Sequence, residues 1–157
     1  VGRTYRLDQE QVLRRPLDEV FGFFADARNL EALTPPWLRF RILSEGDLEM
    51  REGALIDYRI RLHGIPIRWR TEIAAWEPPH RFVDQQLRGP YTLWHHEHRF
   101  EAIDAHTTRV LDRVDYAHWG GPLVERFFVR PDLERIFAYR AEQLAAHFGE
   151  VDGAAAA

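Results

Sequence analysis

Between Leu38 and Tyr116 the chain adopts a two-residue period and keeps it through six runs, separated by gaps mostly too short for a helical crossover. The runs are 38–44, 54–62, 66–76, 80–87, 91–101 and 108–117. Turn residues part them: the acidic Glu45–Gly53, then His63-Gly64, Pro78-Pro79, Gly89-Pro90 and Asp104–Thr107. Parallel neighbours need connections of about a dozen residues or more, so these runs read as antiparallel hairpins. Upstream, residues 3–14 alternate as a first strand, Tyr5 to Leu13, which Pro16 stops. Asp18 and Glu19 then open a helix carrying Val20, Phe21, Phe23 and Phe24. A second short helical segment at Asn29–Leu33, with Asn29 as candidate cap, ends before Pro35-Pro36. Gly120-Gly121-Pro122 mark the exit from the sheet. A helix over 123–148 follows, with Pro131 as its candidate bend and Leu133, Ile136, Phe137, Arg140, Leu144 and Phe148 near one stripe. A single antiparallel sheet must cover its apolar face, and the terminal helix is the available cover. The expected architecture is α+β: a curved seven-stranded antiparallel sheet around a long C-terminal helix, with two short helices after strand 1. Residues 1–150 read as a single domain and 151–157 as a flexible tail.

One run has two chemically different faces. In Trp94-His95-His96-Glu97-His98-Arg99-Phe100, the residues Trp94, His96, His98 and Phe100 share one side, and His95, Glu97 and Arg99 the other. The second set is an ordinary solvated face. The first is aromatic yet polar, and an imidazole in a dry core without a partner is costly, so a cavity lining is the better reading. A turn at 87–91 sets Gln86 opposite Trp94, Asp84 opposite His96 and Phe82 opposite His98. A turn at 104–107 sets His98 opposite Asp112, His96 opposite Val114 and Trp94 opposite Tyr116. Cross-strand neighbours lie about 5 Å apart by Cβ, so one surface gathers all of these, and a one-residue slip would dismantle it.

An Asp beside a His can orient the imidazole and keep it basic, as a general base requires. The pairs Asp84–His96 and His98–Asp112 are therefore the candidate catalytic residues; the plainer alternative is hydrogen-bonded pairs satisfying each other in a cavity wall. The candidate ligand-binding set is Trp69, Phe82, Gln86, Trp94, His96, His98, Phe100, Tyr116 and Phe137. A void of about 300 Å³ or more would separate a binding site from a packed core. The segment 118–128, apolar and flanked by Gly-Gly-Pro, is expected as a lid at the pocket mouth, with a homodimer interface as its alternative. His96, His98 and an Asp have acceptable ligand chemistry for zinc or iron, but His95 points away and the spacing is not that of HExxH. No metal and no cofactor are expected.

All 21 basic residues are arginine, against 25 acidic ones. A net charge of −4 offers no basic patch, and arginines in 59–70 alternate with apolar residues as a solvated strand face does, so no nucleic-acid partner is expected. No cysteine occurs, which excludes disulfides, thiolate nucleophiles and Cys-based metal sites. No GxGxxG or GxxxxGK[ST] motif is present. No apolar run approaches the ~20 residues of a membrane span, and the N-terminus lacks a signal-peptide core. The expectation is a cytoplasmic protein without integral membrane association; beginning at Val1, the sequence leaves a preceding segment open.

The local sequence resembles a known superfamily. Arg15-Pro16-Leu17-Asp18-Glu19-Val20-Phe21-Gly22-Phe23-Phe24-Ala25-Asp26 is similar to the opening of START-like (SRPBCC, polyketide cyclase/dehydrase-like) proteins, and Asn29-Leu30 with Thr34–Leu38 to their second-helix exit. Gly64–Trp69, Phe82–Gln86, Gly89–Tyr91 and Trp94–His98 resemble a bacterial CoxG-like subgroup; Thr108–Tyr116 and Phe137–Arg140 complete the match over almost the whole chain. The resemblance implies a helix-grip fold with an apolar-lined cavity under the long helix. It implies no single activity, because the superfamily holds carriers, binding proteins, chaperone regulators and enzymes. The expected function is binding of a hydrophobic small molecule, lipid-like or aromatic polyketide-like. The alternatives are a cyclase or dehydratase using His–Asp acid–base chemistry, and a protein-interaction module with no small ligand.

Overall fold

A computed structural model describes residues 2–46 and 48–151. Strand β1 (Tyr5–Leu13) leads through Pro16 into helix α1 (Leu17–Phe24), whose Asp18 and Glu19 complement the positive helix start while Val20, Phe21 and Phe24 face inward. A 3-10 turn (Ala27–Asn29), α2 (Leu30–Leu33) and a second 3-10 turn (Pro36–Leu38) follow. The cap falls on Asp26 and not on Asn29: the Asp26 carboxylate accepts from the Arg28 amide, while Asn29 donates its side-chain amide to the Phe23 carbonyl. The strand expected at 38–44 shrinks to β2 (Arg41–Ile42). Leu38 is taken by the proline-started turn, Arg39 sits at a φ of 46°, and the Leu43 and Ser44 amides both converge on the Asp57 carbonyl.

Strands β3 (Leu55–Leu62), β4 (Ile65–Glu77), β5 (Arg81–Arg88), β6 (Leu93–Asp104) and β7 (Thr107–Ala117) form an antiparallel meander, and β1 closes against β7 to give the order β1-β7-β6-β5-β4-β3-β2. The short hairpins impose the expected register: Asp84 faces His96, Phe82 faces His98, His98 faces Asp112, and Trp94 faces Tyr116. Irregular pairing between β4 and β5 at Arg70/Thr71 and Ile73/Ala75 adds curvature. The outward face behaves as expected, with Glu97 accepting from Arg81 and Arg99.

After β7 come α3 (Gly121–Val124), a π-helical turn (Glu125–Val129) and α4 (Arg130–Phe148). The helical path runs on unbroken from Gly121, and the π-helical turn lies just before Pro131, which has no N–H to donate within it. α4 lies on the concave face. Leu133 and Phe137 pack with Ile60, Trp69, Trp94 and Val114, while Leu144 and Phe148 pack with Phe21, Phe24, Phe100 and Val110. Gln9 and Gln11 of β1 donate to the Phe137 and Ala141 carbonyls, which is why a glutamine is buried in this strand. The result is a helix-grip fold. In the expected tail, Val151 donates its amide to the Val12 carbonyl; residues 152–157 lie outside the described residues. No described helix is long and apolar enough to cross a membrane.

Candidate functional site

Between the sheet and α4 lies a cavity of about 170 Å³. Its aromatic wall includes Phe24, Tyr58, Trp69, Phe82, Trp94 and Phe137, and the α1–α2 segment closes one side with Leu30 and Leu33. Polar groups gather on one flank: Asp84 from β5, His96 and His98 from β6, and Arg140 from α4. On the β3–β4 flank, Thr71 and Tyr58 reach the lining, and the buried indole N–H of Trp69 has no hydrogen-bond partner among the described residues. The volume is below the 300 Å³ expected of a ligand site, because the large rings that frame the space also fill it.

The polar flank is built by stacking. The His98 ring lies 4.0 Å from Phe82 at an interplanar angle of 12°, and His96 lies 3.7 Å from His98 at 28°. Although Asp84 stands opposite His96 in the ladder, its close partner is His98, at 2.5 Å from Nε2. His96 Nε2 in turn reaches the Asp112 carboxylate at 2.8 Å. The register pairs are thus exchanged along the diagonal, and the direct pairs are longer: 3.7 Å for His96–Asp84 and 3.3 Å for His98–Asp112. Side chains lean along a strand, so a ring carries its nitrogens past the residue directly opposite. Arg140 completes the group, its guanidinium 3.3 Å from Asp112 and 3.2 Å from His98 Nδ1.

Burial sets the electrostatics. It opposes the His98 cation, but hydrogen bonds to Asp112 and Asp84 outweigh it and raise the pKa above the usual histidine value. Burial and the neighbouring His98 push His96 down to about 4, against the pull of both carboxylates. Asp112 is held well below the carboxylate range because Arg140 and the two imidazoles overcome its desolvation. Asp84 is lowered likewise, burial being offset by His96 and His98. At neutral pH Asp84 and Asp112 are therefore carboxylates beside the Arg140 guanidinium, and His96 is a neutral donor to Asp112. Burial keeps the Tyr58 and Tyr91 hydroxyls protonated by raising both.

Asp84, His96 and His98 each offer a ligand atom within 4.8 Å of the others. The fit to a metal is poor. The nitrogens nearest Asp84 are turned to its one oxygen, at 2.5 and 3.7 Å, and the Arg140 cation stands 3.2 Å from His98. The donor set suits a hydrogen-bond network.

Of the residues singled out in the sequence, Trp69, Phe82, Asp84, Trp94, His96, His98 and Phe137 come together around the cavity. Four others do not border it. Asp112 lies behind the imidazoles. Gln86 braces the β5–β6 turn, bonding the Tyr91 amide and carbonyl. Phe100 packs against Phe21 and Phe24. Tyr116 donates its hydroxyl to the buried Glu125. The segment expected as a lid, 118–128, contributes nothing to the lining. Arg140 is the principal residue that sequence reasoning passed over, and its signal was present: a cation on the apolar stripe of the covering helix needs a buried acid.

A family model described as polyketide cyclase/dehydrase and lipid transport matches residues 13–143. No curated protein sequence matches the chain. Among solved structures, the Zhui aromatase/cyclase of Streptomyces sp. R1128 superposes with a TM-score of 0.73 at 16% identity, covering 92% of this chain and 93% of that one. Protein CV1439 of Chromobacterium violaceum gives 0.69 at 16% identity, covering 95% and 99%. A norcoclaurine synthase point mutant of Thalictrum flavum, in complex with a transition-state analogue, gives 0.65 at 14% identity, covering 94% and 98%. At these identities the likeness is one of fold.

Proposed function

The chain belongs to the polyketide cyclase/dehydrase and lipid transport family, whose fold is typical of hydrophobic-ligand binding, and from that footing we propose that it binds a small, uncharged, ring-bearing molecule between sheet and α4. Residues 1–150 are taken as one ligand-binding unit, of the CoxG-like kind that its motifs resemble. The observation that carries the reading is the composition of the cavity wall: aromatic rings on most sides, and on one flank two imidazoles between an acid, Asp84, and a base, Arg140. A cavity of about 150 Å³ holds a benzene ring, so the 170 Å³ here suits one ring with a hydroxyl or carbonyl substituent; a larger guest requires α4 and α2 to part. A charged guest would give up its hydration beside a flank whose own charged groups, Asp84 and Arg140, already have partners.

The test is native mass spectrometry and extraction of co-purifying compounds, followed by titration with phenol, cyclohexanone and their carboxylated counterparts. Neutral rings should bind, the carboxylates should not, and binding should weaken in H96A/H98A. A folded wild-type protein that binds no neutral ring would sink the reading. The 2.5 Å contact between Asp84 and His98 on the cavity flank favours acid–base catalysis as a second reading, with His98 as proton donor and Asp84 as its orienting base. A polyketone converted by wild type and left intact by folded H98A and D84N would establish that reading over simple binding.

A further inference from the structure

The meander sends three connections out of the same edge of the sheet: the β3–β4 tip, the β5–β6 tip and the segment after β7, with the start of β1 beside them. Contact between His63 and Asp132 places the start of α4 at this end too. Ten large hydrophobic side chains are exposed among the described residues, and seven belong here: Ile65, Leu87, Leu93, Trp119, Leu123, Phe127 and Phe128. Trp119 is 82% exposed, and Leu123, Phe127 and Phe128 lie between 60 and 70%. In a helical stretch, Leu123 and Phe127 are neighbours one turn apart. The π-helical turn that displays Phe127 and Phe128 also sends Glu125 inward, where Tyr116 and His118 hold it. The apolar face is thus anchored from behind.

Charge is segregated at the same end. The stretches 2–4, 61–66, 86–93 and 117–131 contain one acidic residue, the buried Glu125, in a chain whose net charge is −4. Arg3, Arg61, Arg88 and Arg126 are exposed there. Asp115 and Asp132, just outside these stretches, are already bonded to Arg6 and His63.

We infer that this end of the molecule docks on an anionic lipid surface. Trp, Phe and Leu interleaved with arginine is the chemistry of an interfacial segment. A second copy fits less well, because an isologous contact would bring the like arginines of this end together. Leu62 and Tyr91, which border the cavity, stand on two of the same tips, so the docked end lies beside the cavity.

The experiment is co-sedimentation with phosphatidylcholine vesicles and with vesicles containing phosphatidylglycerol, at low and high salt. The wild-type protein should bind the anionic vesicles and release with salt. R88Q and R126Q should each weaken binding about fivefold. W119S/F127S/F128S, changed only at exposed positions, should abolish binding while circular dichroism stays native. The inference fails if wild type ignores anionic vesicles at low salt, if it binds neutral ones equally, or if neither set of variants matters. It also fails if sedimentation equilibrium shows a dimer that the triple variant dissociates, which would make a second copy the occupant.

Discussion

Replacing Asp112 by Asn tests the charge balance behind the cavity. The change is nearly isosteric, so it opens no void, and the new amide oxygen still accepts from the neutral His96 donor at 2.8 Å. What disappears is the negative charge facing His98 Nδ1 and the Arg140 guanidinium, each 3.3 Å away. Removing one partner of a buried ion pair costs about 3–5 kcal/mol, because the stranded charge remains. For a chain of this length that corresponds to a fall in Tm of roughly 10 °C. The loss should vary with pH. The wild-type His98 pKa is raised, so its contribution is complete below the unfolded value near 6.5 and fades as pH rises through the folded value. D112N removes one of the hydrogen bonds that raise it, so the deficit should be larger at pH 6 than at pH 9. Urea unfolding followed by tryptophan fluorescence reads both quantities, provided m is unchanged. Taking out the stranded cation as well, in D112N/R140M, should recover part of the loss. D115N is the control, since its pair with Arg6 is exposed and such pairs contribute little. The reasoning is refuted if D112N loses no more than D115N, or if its deficit grows toward high pH.

Three further outcomes follow from the same structure. His96 is held down to about 4, so the unfolded chain binds that proton first; wild-type stability should fall by on the order of 3 kcal/mol between about pH 6.5 and 4, and urea curves of H96N should lack that limb. Tyr116→Phe removes a buried donor to the Glu125 carboxylate and should cost about 2 kcal/mol in chemical denaturation, with the Phe127 face loosened in hydrogen exchange. Gly120 has a φ of 110°, and a Cβ there would stand 2.7 Å from Val124 Cγ2, so G120A should lower stability by about 2 kcal/mol, seen as a lower Tm.

The register around the site was legible because two short hairpins dictate it: once 87–91 and 104–107 are turns, Asp84, His96, His98 and Asp112 must share a face. The exchanged partners were not legible. Register sets the spacing of Cβ atoms, whereas the side-chain torsions that bring Asp84 to His98 depend on Phe82 stacking on one side and Arg140 pressing from another. Arg140 itself stood on the expected stripe, but the rotation of α4 over the sheet belongs to packing and has no local code. The same holds for the cavity. Five Trp and ten Phe announce bulk, yet whether rings frame a space or occupy it depends on angles such as the 90° between Trp69 and Trp94. The lid expectation failed for a similar reason. Apolar residues after the last strand can turn inward or outward, and here the buried Glu125 takes the inward position, leaving Phe127 and Phe128 outside.

The polar flank is hard to explain as a device for stability. Asp84, Asp112 and Arg140 must each surrender hydration, and well-packed apolar residues of similar volume often replace such clusters without loss. Here apolar neighbours are abundant, with Phe24, Phe82, Phe137 and Trp94 all in reach. The cluster also leaves Arg140 with an unsatisfied Nε, a further cost that a purely structural network would avoid. It is placed where an interior polar group can serve a guest, since Asp84, His96 and His98 border the cavity while the balancing Asp112 stays behind them. A neutral guest meets donors and acceptors that adjust to it, and the apolar remainder of the cavity holds its ring.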